Sequence, residues 1–321
     1  MNILFDGRPL ADVNSGGVKR VTEGLLQALK QQGVPITSAT TGAIKPNGSD
    51  VHTAIPNKIV SLWLFLRLKS FEQLFSQKID RLFFPNIGWI GKPKIPYALV
   101  VHDVSFLIEP AWFSWKSRLW HASIDARRQI KQAQVIFSVS ETTKRDLTNI
   151  LGIPQERIHV IPMGINLSST HRKDRLIHHP YLLALGGGNR RKNTSLAKSI
   201  AVNMGLPLIL IGEEPWMHPT DEELNSLYAS ATAFLYPSWY EGFGLPLHEA
   251  ARFGTPCIAS TAGALPETAP SGTIFASPAK PHHWIQAVKS IQKNPTQHQT
   301  HTNISTWDEA AKIIQNILMN Q

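Results

Sequence analysis

Short apolar runs alternate with longer amphipathic stretches along most of the chain. Apolar runs bounded by turn residues read as buried strands, and a 3.6-residue periodicity reads as helix. In the first half the pattern predicts strands near 2–5, 81–84, 97–102, 134–139 and 157–161. Helices are predicted near 17–32, 59–76, 112–132 and 141–150. Ser140 suits an N-cap for the last of these, and Gly152 suits its stop. Residues 164–180 are polar and without periodicity, as a linker would be. A second alternating block then predicts strands near 181–185, 207–211, 232–236, 256–259 and 273–275. Its helices fall near 192–204, 221–229, 245–253 and 281–292. A polar stretch, 293–304, precedes a last amphipathic helix over 307–318.

Strands alternating with helices imply parallel sheets covered on both faces. The expected fold class is α/β: two Rossmann-like doubly wound domains facing a cleft. The expected domains are 1–165 and 166–304, with 305–321 as a closing helix. Ligands of such sheets bind beyond the carboxyl ends of the strands. The glycine-rich turns all follow predicted strands, so they are expected to face that cleft.

A length of 321 residues fits two domains, and 42% apolar residues with nine Trp provide a sizeable core. The formal charge of +9 favours anionic partners. The Lys and Arg are scattered, with no zinc-finger spacing and no RNA-reading aromatic motif, so nucleic acid is not an expected partner. The single cysteine, Cys257, fits a reducing compartment and sits in an apolar run, where a small buried residue is the simple reading. Residues 1–6 lack the basic and apolar regions of a signal peptide, and no window approaches ~20 apolar residues. A cytoplasmic protein is expected, either free or peripheral at the inner face of a membrane. Asp-x-Asp, His-Glu-x-x-His and clustered Cys/His sets are missing from the sequence, so no metal site is expected. Residues 58–81 are both apolar and basic. They read either as a half-buried core helix or as a segment lying in a membrane interface.

The densest chemistry lies in residues 237–250, Pro-Ser-Trp-Tyr-Glu-Gly-Phe-Gly-Leu-Pro-Leu-His-Glu-Ala. Two carboxylates, Glu241 and Glu249, bracket the turn formed by Gly242, Phe243, Gly244 and Leu245. A strand, a glycine turn and a helix start with proline in its first turn aim backbone N–H groups at one point, which suits an anion. A hydrolase pair would place its carboxyls about 5–9.5 Å apart across one bond. Eight residues span up to about 12 Å when helical, which favours gripping two ends of a long ligand. Upstream, Arg191 and Lys192 follow Gly186-Gly187-Gly188. Cations at a helix start are unfavourable without an anion to offset them. Arg191 occupies the last glycine position of a dinucleotide fingerprint, so the loop is not one.

The stretch 234–267, with Pro-Ser-x-Tyr-Glu-Gly-Phe-Gly-Leu-Pro, Glu249-Ala250, Gly254-Thr255-Pro256 and Leu265-Pro266-Glu267, closely resembles the signature of family 4 retaining glycosyltransferases of the GT-B fold. Gly16-Gly17, the run from His102 to Leu107, Val139-Ser140-Glu141, Ile161-Pro162-x-Gly164 and Arg191-Lys192-Asn193 agree with it in order and spacing. The resemblance implies transfer of a sugar from a nucleoside-diphosphate sugar with retention of anomeric configuration. It implies that Glu241 contacts the donor sugar and supports the transition state, and that Glu249 holds the ribose hydroxyls. Lys192 matches the family's phosphate lysine, with Arg191 as second cation. The amides around Gly242, Phe243, Gly244 and Leu245 would hold the diphosphate, with Gly16 and Gly17 nearby. His102 would lie beside the donor sugar, although a lone histidine often has only a hydrogen-bonding role. The N-terminal domain would carry the acceptor side, and 305–321 would pack back on it.

The expected catalytic residues are therefore Glu241, His102 and Lys192. No cofactor is implied; the nucleotide sugar is a substrate. The expected donor sugar is a hexose, with mannose preferred, and the acceptor a glycan or lipid-linked intermediate of cell-surface glycan synthesis. Rival readings are a silent nucleotide-sugar-binding subunit and a GT-B isomerase acting on a nucleotide sugar. Two departures stand out. Arg20 sits where family members often carry an aromatic residue, and only the 28 residues 213–240 separate Gly212 from Glu241, where family members usually fit a further strand–helix unit.

Overall fold

The computed structural model describes residues 1–11, 16–165, 176–302 and 306–320. The chain divides into two compact units, 1–104 with 115–166 and 305–321, and 105–114 with 167–304. Residues 105–114 thus group with the second unit, whereas the sequence places them within 1–165. They hold only a four-residue helix and a 3-10 turn, too short for periodicity to assign them to either sheet.

In chain order the first part runs β1 (Ile3–Asp6), α1 (Gly16–Gln31), β2 (Ile36–Thr41), β3 (Val51–Thr53), α2 (Asn57–Phe65), β4 (Arg81–Phe84) and β5 (Tyr97–Val101). It continues with α3 (Ser105–Ile108), α4 (Trp115–Ile124), α5 (Ala126–Gln132), β6 (Val135–Ser138), α6 (Glu141–Leu151) and β7 (Ile158–Val160). Among the described residues the strands form a seven-stranded parallel sheet in the order β3-β2-β1-β4-β5-β6-β7. The central strands β1, β4, β5 and β6 are buried on both faces, as covered parallel strands are, and Phe5, Phe83 and Phe137 stack across β1, β4 and β6. Strand order reverses between β1 and β4, which is the switch point of this sheet.

Strands β2 and β3 are additions to the expected pattern. β2 reads Ile-Thr-Ser-Ala-Thr-Thr, so its burial rests on small and hydroxyl side chains rather than on an apolar run. The expected helix over 59–76 is α2 followed by a separate 3-10 turn, Phe71–Leu74, with Arg67 left-handed between them (φ 58°). The expected helix over 112–132 is α4 and α5, broken at Asp125 (φ 53°). Ser140 caps α6 by accepting from the Thr143 N–H (3.1 Å), and Gly152 ends it in the left-handed region.

The second unit continues with β8 (Leu182–Leu185), α7 (Thr194–Met204), β9 (Leu208–Ile211), α8 (Asp221–Ser230), β10 (Ala233–Tyr236) and α9 (Leu245–Ala251). Then come β11 (Cys257–Ser260), α10 (Leu265–Thr268), β12 (Ile274–Ala276) and α11 (Pro281–Lys293). Its parallel sheet has the order β12-β11-β10-β8-β9, so its switch point lies between β8 and β10. One face packs Ile200 of α7 with Trp284 and Val288 of α11. The other packs Leu227 of α8 with Leu247 of α9.

The last helix, α12 (Trp307–Met319), belongs to the first unit and packs on α1. Trp307, Ala310, Ala311, Ile314 and Leu318 form its buried stripe. The indole of Trp307 fills the space left by two glycines: a Cβ at Gly24 would overlap it, and one at Gly164 would come within 2.6 Å.

Candidate active site

The carboxyl ends of β8 and β10 are where a ligand of the second sheet is expected. The loop after β8 ends in a 3-10 turn, Arg190–Lys192, ahead of α7. The helix expected from 192 therefore starts two residues later, and both cations sit on the turn. The turn is tied down on each side. The Asn189 side chain accepts from the Arg191 N–H (3.0 Å). Asn193, left-handed at φ 53°, donates through its amide to Pro237 O (3.2 Å) and Pro278 O (3.3 Å). The Trp239 N–H donates to Arg191 O (2.8 Å), which joins this turn to the loop after β10.

That junction brings three charges together. Arg191 Nη1 lies 2.9 Å from Glu241 Oε2, and Lys192 Nζ lies 2.8 Å from Glu241 Oε1. Arg191 also donates to Tyr240 O (2.6 Å). Lys192 donates to the Tyr236 hydroxyl (3.1 Å) and sits over its ring, 4.9 Å from the centroid. Burial alone would raise the Glu241 carboxyl above its ordinary value. The Arg191 and Lys192 charges outweigh that and hold it at about 2. Burial, and then the neighbouring Glu241 charge, push the Tyr236 phenol well above its ordinary range. At neutral pH the cluster is thus a carboxylate, two cations and a neutral phenol, with one positive charge in excess.

Beside it lies the glycine turn. Among the described residues the N–H groups of Gly242, Phe243, Gly244 and Leu245 make no backbone hydrogen bond, so four donors stand together at the start of α9. Gly244 is left-handed (φ 102°), a conformation that glycine adopts without strain. Phe243 is held by ring stacking on His248 (5.4 Å) and by a hydrogen bond from Thr268 to its carbonyl. His248 is in turn pinned between Thr302 and Thr268. One α9 turn further on, Glu249 accepts from the buried Tyr228 hydroxyl (3.1 Å).

The second unit thus brings together Arg191, Lys192, Glu241 and the turn at 242–245, with Glu249 along the following helix. Gly16, Gly17 and His102 lie in the first unit and are described there. His102 follows β5, and its Nε2 bonds Pro85 O (2.9 Å). A carbonyl only accepts, so Nε2 carries the proton and Nδ1 is the free acceptor. Burial lowers the ring's proton affinity, partly offset by Pro85 and Asp103, which keeps it neutral near pH 7. Gly16 and Gly17 begin α1 and are exposed, and a Cβ on either would meet nothing within 4 Å. Packing against described residues therefore does not require glycine there. Among the described residues no three His, Cys, Asp or Glu side chains gather as metal ligands.

Three supporting residues were given no role by the sequence. Tyr236 lies in an apolar strand run, yet it ends that strand, where a polar tip faces the ligand side. Asn193 and its left-handed turn separate the cations from α7. Gly263 is left-handed (φ 62°), and a Cβ there would come within 2.5 Å of Glu241 O. The Ala264 N–H donates to the same carbonyl (2.8 Å), so Gly263 permits the contact that fixes the Glu241 backbone.

Two parallel, doubly wound α/β units define the GT-B class, and here the second unit presents cations and open amides at its switch point. Residues 15–169 match the family described as Glycosyltransferase Family 4, and 172–294 match Glycosyl transferases group 1; the chain belongs to this family. It is similar to O-antigen chain mannosyltransferase B of Escherichia coli, 27% identical over 55% of this chain and 56% of that protein. It is equally similar to O-antigen chain mannosyltransferase RfbU of Salmonella typhimurium, 27% identical over 61% of each. The matches thus span little more than half the length of these relatives. Among solved structures, sucrose-phosphate synthase of Thermosynechococcus elongatus shares the fold, with a TM-score of 0.69 at 19% identity over 98% of this chain and 94% of that one.

Proposed function

We propose that this protein transfers a hexose, mannose, from a nucleoside-diphosphate sugar to a hydroxyl of a glycan or lipid-linked acceptor in cell-surface glycan synthesis. The observation that carries the reading is the Arg191–Glu241–Lys192 cluster beside four open amides. The mannosyltransferase names of the relatives support the choice of sugar.

In this reading the diphosphate lies against the amides at 242–245 and shares the two cations with Glu241. Glu249, steadied by Tyr228, accepts from the ribose hydroxyls. As the bond from the anomeric carbon to the phosphate oxygen breaks, negative charge grows on the leaving group. Arg191 and Lys192 stabilise that charge where it develops. Glu241, ionised at all working pH values, favours the positive charge growing on the sugar ring. The acceptor oxygen forms its bond on the face the phosphate leaves, and its proton passes to the departing phosphate oxygen. Configuration is thereby retained. The cations fulfil the role a divalent metal has in other transferases, so activity is independent of metal. His102, a neutral ring with one free acceptor nitrogen, is assigned to a sugar hydroxyl.

The test incubates the protein with GDP-mannose and other nucleotide sugars, with and without EDTA, and follows products by proton NMR. The expected product is free or transferred mannose with the donor's anomeric configuration, unaffected by EDTA. Donor binding without release of sugar would instead indicate a silent subunit. Conversion of the donor to another nucleotide sugar would indicate an isomerase.

A further inference from the structure

The outer face of α2 is apolar and, among the described residues, uncovered. Only Val60 and Leu64 of this helix point inward. Ile59, Leu62, Phe65 and Leu66 are exposed, and Leu68, just past the helix, is 67% exposed. A surface helix normally presents polar residues to solvent. Here the solvent side carries the large apolar side chains instead.

Cations ring this face. Lys58, Arg67 and Lys69 lie on α2 or directly after it, all exposed. Gly91 is packed so closely on Lys69 O that a Cβ would come within 2.3 Å, which brings exposed Lys92 and Lys94 alongside. Arg67 pairs with Asp125 (3.1 Å), which draws Arg128 to the same place. Between them lies a small recess lined by Phe65, Arg67, Trp89, Asp125 and Arg128 among others. The Trp89 indole N–H beside it is buried and has no partner among the described residues. The charge of the whole chain points the same way. The first unit holds 21 Lys and Arg against 13 Asp and Glu, and the second holds 11 against 10.

We infer that this face docks on an anionic lipid bilayer. Ile59, Leu62, Phe65, Leu66 and Leu68 enter the acyl boundary, and the surrounding Lys and Arg meet lipid phosphates. Charge complementarity selects the occupant: an apolar patch alone would suit many, but one ringed by cations suits an apolar layer with an anionic rim. The inference rests on the first unit alone and stands apart from the glycosyl-transfer reading.

The test is flotation of the full chain with vesicles of phosphatidylcholine, with and without a third phosphatidylglycerol. The expected result is binding to the phosphatidylglycerol vesicles that weakens as salt rises, and little binding to phosphatidylcholine alone. Leu62→Glu with Leu66→Glu, both solvent-facing, should weaken binding about tenfold or more with circular dichroism and Tm unchanged. Lys58→Glu with Lys69→Glu should do the same. No binding, equal binding to both vesicles, or binding untouched by either pair would overturn the inference. So would a dimer in light scattering that the Leu62/Leu66 pair dissociates, since a second copy would then cover the face.

Discussion

Glu241 holds the two cations that the proposed function assigns to a diphosphate, so in that reading the protein's own carboxylate competes with the ligand. Glu241→Gln keeps the shape and removes the competing charge. Affinity for a nucleoside diphosphate should then rise about tenfold, the size of one charge-assisted interaction of roughly 1.5 kcal/mol. Turnover should fall about a hundredfold or more, as removal of a transition-state charge partner does. Calorimetry with GDP and UDP, set beside donor kinetics, checks both, and an unchanged or weaker Kd would refute the competition. The same carboxyl sets a pH dependence. Its folded value of about 2 lies below the ordinary 4.5, so its contribution to stability is complete above about 4.5 and is lost as pH falls toward 2. The stability gap between the wild type and Glu241→Gln, measured in urea, should be constant above pH 5 and close below it. Tyr236 positions this pair: its hydroxyl accepts from Lys192 and is hydrogen-bonded to Glu241. Tyr236→Phe should move the closing of that gap to higher pH and lower kcat about tenfold, with a smaller change in donor KM. A variant with wild-type kcat and pH profile would leave Tyr236 as packing only.

Elements meet where small residues allow it, and α1 against α12 is the clearest case. Gly24→Ala in a helix interior ordinarily gains stability. Here the new Cβ would overlap the Trp307 indole, so a loss of about 1–3 kcal/mol is expected in urea unfolding, as for other overpacked sites. In a Trp307→Ala background the same change should be neutral or stabilising, and this non-additivity separates the steric cause from helix propensity. Most elements were legible because an apolar run or an amphipathic period marks each of them, α12 included. Those that were missed lack that mark. β2 is buried through Thr, Ser and Ala, and β3 is only three residues long. The breaks at Arg67 and Asp125 depend on single left-handed residues that do not disturb the apolar pattern around them. In the candidate site, Arg191, Lys192 and Glu241, which the structure brings together, were singled out along with Glu249 by residue type, spacing and the family resemblance. Tyr236 and Gly263 were not, because one looks like core and the other like an ordinary turn until the fold sets each against Glu241.

At the scale of the whole molecule, the groups assigned to the nucleotide and diphosphate, Lys192, Arg191, the amides at 242–245 and Glu249, all belong to the second unit. A nucleoside diphosphate without sugar should therefore protect a limited set of amides. Hydrogen exchange should slow over 186–193 and 237–249, where the glycine loop, the cation turn and the start of α9 lie. The central strands β1, β4 and β5 of the first unit should exchange as before. Ligand at a hundredfold excess over Kd adds about 2.7 kcal/mol to whatever folds as one with its site. If the two units unfold in separate transitions, only the one reported by the second unit should rise by that amount. GDP or UDP protecting β1 and β4 but leaving 237–249 untouched would move the phosphate site out of the second unit. In that event the pairing of Arg191 and Lys192 with Glu241 would be a structural ion network, and the four open amides would have another purpose.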